Sequence, residues 1–105
     1  MLTIRRKRYD VGTHIDDLPA VTVDLTSTVI LSANPSRVTA TIQASIGNVE
    51  PVWLAFSEDG DAVLSIGISI NPGQHYKIDL DGWYGGTIKG VCANGNATVY
   101  VQETY

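Results

Sequence analysis

Residues able to do chemistry are few and far apart in this 105-residue chain. Nucleophilic catalysis needs a nucleophile with a base in hydrogen-bond reach. The candidate bases are His14 and His75, and the one thiol is Cys92. His14 lies in a segment without periodicity. His75 directly follows a turn, where exposure is expected. Cys92 sits in the run Val91-Cys92-Ala93 near a strand end, which reads as a small buried hydrophobe rather than a reactive thiol. Two histidines about sixty residues apart and a lone cysteine make a weak zinc case. Glu58-Asp59-Gly60-Asp61 offers oxygens but lacks the alternating spacing and downstream Glu of a calcium loop, so it reads as a solvated turn. Asp79 and Asp81, followed by Gly82, read as a strand-end turn. Gly82, Gly85, Gly86 and Gly90 lack the strand-to-helix setting of a phosphate loop. Any two acids could meet to hydrolyse a glycoside, and nothing singles out a pair. The sequence therefore predicts no catalytic residue, metal or cofactor.

Two clusters carry binding chemistry instead. Four of the 7 basic residues are Arg5, Arg6, Lys7 and Arg8, and all 11 acidic residues come later. From residue 9 onward, three basic residues stand against eleven acidic, a balance of −8. An acidic body repels phosphates, so direct nucleic-acid binding is not expected. The basic run has three readings: a nucleic-acid contact, a contact to an acidic protein surface, or a solvated tail. The acidic protein surface is put first. The second cluster is Trp83-Tyr84, flanked by Gly82, Gly85 and Gly86. Exposed aromatics anchor partners or sugars. Equally, Trp83 could cap the end of a core, and that role is preferred.

The elements that position these groups read as strands. Val21, Val23 and Leu25 alternate with polar residues, the period of a half-buried strand. Residues 28–31 form a second short strand. Asn34, Pro35 and Ser36 make a turn. Val38, Ala40, Ile42, Ala44 and Ile46 are then expected on one face, with Arg37, Thr39, Thr41, Gln43 and Ser45 on the other. Val52–Phe56 is a strand carrying Trp53. Residues 62–70 are apolar, with Gly67 marking a bulge or bend. Asn71-Pro72-Gly73 suits a type II turn. Tyr76, Ile78 and Leu80 alternate with Lys77 and Asp79. Residues 87–92 form a strand, Asn94-Gly95-Asn96 reads as a tight hairpin turn, and a last strand carries Val99 and Val101 inward.

The expected fold is all-β, a single β-sandwich or jelly-roll-like domain of about seven to eight short antiparallel strands over residues 20–105. Residues 1–19 are expected to be an extended N-terminal arm. The single cysteine rules out an internal disulfide. No apolar run is long enough for a membrane span, and no apolar segment of a secretory signal follows the basic residues. A cytoplasmic product, or one that reaches its place by assembly, is expected.

The order of the turns carries a resemblance. Ser32-Ala33-Asn34-Pro35-Ser36-Arg37 leads into the alternating strand, and Val52-Trp53-Leu54 follows. Then come Gly67-Ile68-Ser69-Ile70-Asn71-Pro72-Gly73, Trp83-Tyr84-Gly85-Gly86, and Gly95-Asn96-Ala97-Thr98-Val99 before Glu103. This set resembles small tailed-phage virion proteins with an "N-P-x-R" turn, a "P-G" turn before a strand, and a "G-x-A-T-V" hairpin before an acidic end. The resemblance covers about residues 20–105. It implies a β-sandwich decoration (cement) protein on the capsid surface, made in the host cytoplasm. Such a protein would bind between major capsid protein subunits, or another virion protein, as a homotrimer, and would reinforce the head. No catalytic residue comes with it. The alternative is a phage tail or fibre module that binds a receptor or carbohydrate through Trp83 and Tyr84, with Asp79 and Asp81 as polar partners. A small hydrolase or isomerase on the same scaffold is the weakest reading.

Overall fold

The computed structural model describes residues 15–79 and 84–105. The described residues form nine strands and no helix. The strands are β1 (Ile15–Asp17), β2 (Val21–Val23), β3 (Thr28–Leu31), β4 (Thr39–Ala44) and β5 (Val52–Phe56). They continue with β6 (Ile68–Ile70), β7 (His75–Ile78), β8 (Ile88–Cys92) and β9 (Ala97–Thr104). Sheet A runs β1-β9-β4-β7, with β2 also paired to β9; sheet B runs β3-β8-β5-β6. All pairings are antiparallel. The pairs β2·β9, β3·β8, β4·β7 and β5·β6 nest inside one another. That nesting is a long hairpin rolled around a core, the order of a jelly roll.

The core follows from the pleat, which sends alternate side chains inward. Ala40, Ile42 and Ala44 of β4 meet Val99 and Val101 of β9, with Val52, Leu54 and Ile88 of sheet B opposite; all are buried. The expected β4 pattern holds from Val38 to Ala44 and then fails. Ile46 was expected inward, yet it is 86% exposed because β4 ends at Ala44. Arg37 was expected outward, yet it is buried. β4 begins only at Thr39, so the pleat does not extend back through the turn to Arg37. Leu25, read as the end of an alternating strand, is likewise exposed past the end of β2.

The turns show where local chemistry is decisive. The amide of Gln74 donates to Asn71 O at 2.9 Å, and Gly73 has φ 83°. This is the expected type II geometry, with Pro72 and Gly73 in their preferred places. The turn leads from sheet B to sheet A. Asn94-Gly95-Asn96 differs from expectation. It does not close a hairpin, because β8 belongs to sheet B and β9 to sheet A. Its turn chemistry is real: Gly95 N donates to Cys92 O at 3.2 Å, and Gly95 has φ 69°. The tight turn sends the chain across the core instead of back along the same sheet.

Two segment boundaries also differ. Only Ile68–Ile70 of the apolar stretch is a strand, and Val63, Leu64 and Ile66 are exposed in the loop before it. At the other end, part of the expected arm joins sheet A. Ile15–Asp17 pairs with residues 102–104 of β9, and Leu18 N donates to Val101 O at 3.0 Å. Residues 1–14 lie outside the described residues.

Candidate functional site

Of the residues singled out for binding, Arg5, Arg6, Lys7, Arg8 and Trp83 lie outside the described residues. Tyr84 is half-buried. Its ring meets Phe56 edge-on, with centroids 5.6 Å apart at 86°, and Phe56 in turn lies 5.4 Å from Tyr76. The Tyr84 hydroxyl donates to Thr87 O at 2.9 Å. Burial raises the phenol pKa above its usual range; the Glu58 carboxylate adds to the rise and the Arg37 guanidinium opposes it. Tyr84 thus closes one end of the sandwich between the two sheets, the capping role weighed for Trp83.

The most constrained polar cluster centres on a residue that sequence reasoning missed. Arg37 is one of the largest fully buried side chains. Its Nε donates to Glu103 Oε2 at 2.9 Å. Nη1 donates to Tyr84 O and Gly86 O at 3.1 and 3.0 Å, and Nη2 to Ser32 O at 2.6 Å. Asn34 Nδ2 donates to the other carboxylate oxygen of Glu103 at 3.3 Å. The turn itself is locked: Ser36 N donates to Asn34 Oδ1, Arg37 N to Asn34 O, and Asn34 N to Gly85 O. A planar fork with five donors suits such a multi-carbonyl clamp, and an ammonium would not. One signal could have found it. Glu103 shares its parity on β9 with the inward residues Val99 and Val101, so a buried acid needing a cation was already implied.

The acidic loop after β5 is also tied down. Ser57 Oγ accepts from Asp59 N and Gly60 N. Glu58 accepts from Thr87 N and Thr87 Oγ1, both at 3.0 Å, and Lys89 Nζ donates to Gly60 O at 2.9 Å. Both oxygens of the Glu58 carboxylate are therefore taken up by Thr87. Among the described residues no group of three or more His, Cys, Asp or Glu is placed to hold a metal ion. His75 is exposed at the start of β7 in sheet A, whereas Cys92 is buried at the end of β8 in sheet B. The Cys92 thiol donates to Asn94 Oδ1 at 3.0 Å.

Among the described residues, two concavities stand out. One, of about 470 Å³, runs between Leu18–Val21 and Ile30–Asn34, with Glu103 on its wall. The Glu103 carboxylate there is already held by Arg37 and Asn34. The other, of about 230 Å³, lies on the outer face of sheet A. No family model, curated protein or solved structure matches this chain.

Proposed function

We propose that this chain is a structural virion protein of a tailed phage, a decoration protein that binds between major capsid subunits and stabilises the head. The observation that carries the reading is the convergence at Arg37. The "N-P-x-R" turn, the aromatic-glycine segment and the acidic end are far apart in sequence. In the fold, Arg37 bonds Tyr84 O, Gly86 O and Glu103 together. Three elements of the resemblance thus meet at one side chain, which supports reading them together; the Asn71-Pro72-Gly73 turn and the Gly95–Val99 segment lie outside this cluster. Jelly-roll sandwiches also recur among capsid proteins, though a fold alone assigns no function.

In this reading each copy buries a modest surface, and several copies around a symmetry axis, as in a homotrimer, add through avidity. Arg5, Arg6, Lys7 and Arg8 meet acidic residues of the shell. The test is cosedimentation with heads of the phage that encodes the chain. Removal of residues 1–14, which leaves β1 in place, is expected to keep the fold and lose most head binding. Head binding unchanged by that truncation, and by reversing all four basic charges, would overturn the role of the basic run. Absence of binding by the intact chain would overturn the decoration role itself.

A further inference from the structure

The outer face of sheet A carries polar side chains of which Thr41, Gln43 and Tyr100 make no side-chain hydrogen bond among the described residues. Register places His75, Gln43 and Tyr100 in one row across β7, β4 and β9. The next row holds Lys77, Thr41, Gln102 and Asp17 across β7, β4, β9 and β1. Asp17, Thr41, Gln43, Tyr100 and Gln102 line the depression of about 230 Å³. Tyr100 is 50% exposed at its rim. Gln102 Nε2 donates to Asp17 Oδ1 at 2.7 Å, which fixes an amide and a carboxylate side by side.

We propose that this depression binds a neutral pyranose, a single sugar unit or the end of a glycan. Sugar recognition needs three things that meet here. An acceptor must take hydroxyl protons, and Asp17 supplies a carboxylate with a free second oxygen lone-pair set. Groups that both donate and accept must match neighbouring hydroxyls, and Gln43, Gln102 and Thr41 do so. A flat π-face must cover the apolar C–H side of the ring, and Tyr100 offers one. Other occupants fit less well. A protein interface has a charge-depleted centre, whereas this depression has the Asp17 carboxylate on its wall. Nucleic acid and acidic sugars meet the same carboxylate on an acidic body. The proposal stands apart from the virion reading, because it uses no residue of the basic run.

The test is amide chemical-shift mapping of the intact, isotope-labelled chain. Glucose, galactose, mannose, rhamnose and N-acetylglucosamine are titrated separately into the millimolar range. A shallow, open site with few hydrogen bonds predicts millimolar affinity. The expected result is that at least one sugar shifts amides around residues 41–43 and 100–102. Tyr100→Ala and Asp17→Asn should each weaken that sugar by about tenfold or more. Tyr100 is an outward side chain without a hydrogen bond, so its variant should fold, and Gln43→Ala is the second probe if it does not. Failure of all five sugars to shift these amides overturns the proposal. So do shifts centred elsewhere, or shifts that survive both Tyr100→Ala and Asp17→Asn.

Discussion

Successive residues of β9 serve two polar sites with opposite states of satisfaction. Glu103 points inward, where its oxygens meet Arg37 and Asn34. Tyr100 and Gln102 point outward, beside Thr41 and Gln43, and among these four only Gln102 has a side-chain hydrogen bond. The inner cluster sits where water is scarce, so each unmade bond would cost about 1–3 kcal/mol. Each side-chain nitrogen of Arg37 accordingly donates to a carboxylate or a carbonyl. The outer cluster sits in water, where an unmade bond costs almost nothing. Polar residues of similar kind thus hold the fold on one side of a sheet and remain available for a ligand on the other.

Arg37→Met is the sharpest way to break this contrast. It leaves Glu103 buried without its cation, and a loss of about 3–5 kcal/mol is expected in denaturant unfolding. The double change Arg37→Met with Glu103→Leu separates two roles. If the ion pair were everything, an apolar pair would restore stability. Because Arg37 also clamps the carbonyls of Ser32, Tyr84 and Gly86, recovery should be only partial. Full recovery would mean the carbonyl bonds contribute nothing.

The inner cluster was nearly invisible in the sequence for a definite reason. Alternation reads the pleat, and the pleat begins at Thr39. Arg37 lies in the turn before it, so period-two reasoning assigned it the wrong side. The buried core from Val38 to Ala44, the short strands and the Asn71-Pro72-Gly73 turn were legible, because local sterics and parity decide them. Sheet membership was not. Asn94-Gly95-Asn96 has hairpin chemistry, yet it joins strands of different sheets, since strand pairing is set by long-range packing. The outer-face depression was also hidden. Thr41 and Gln102 are sixty-one positions apart, and only the β4·β9 register makes them neighbours.

A smaller effect is expected at the rim of the inner cluster. Asn34→Ala removes the bond to Ser36 N and the bond to Glu103 while leaving Arg37 in place. A loss of about 1–2 kcal/mol follows from one partly buried and one exposed hydrogen bond. A loss as large as that of Arg37→Met would make Asn34, not Arg37, the centre of the node.

Tyr84 tests the same boundary through pH. Its phenol pKa is raised by burial in the folded state. The folded state therefore holds this proton more tightly than the unfolded chain does. That stabilisation is complete below the ordinary tyrosine pKa of about 10 and is lost as pH rises through the raised value. Thermal melts taken from neutral to strongly alkaline pH should show intact protein losing stability more steeply than Tyr84→Phe. Parallel curves would mean that Tyr84 is wetter than its packing on Phe56 implies.

The smallest effect should come from the outer face, and its smallness is the point. Thr41→Val and Gln43→Val replace outward side chains that make no hydrogen bond within the described structure. β-Branched residues suit the pleated backbone of a central strand. Surface changes away from special features fall within about 0.5 kcal/mol, so melting should barely move for either variant. Near-neutral melts for both would place Thr41 and Gln43 outside the forces that hold the fold and leave their polar groups open to a ligand. A drop in stability comparable to Asn34→Ala would instead make Thr41 and Gln43 structural, and would remove the distinction between the two sides of β9.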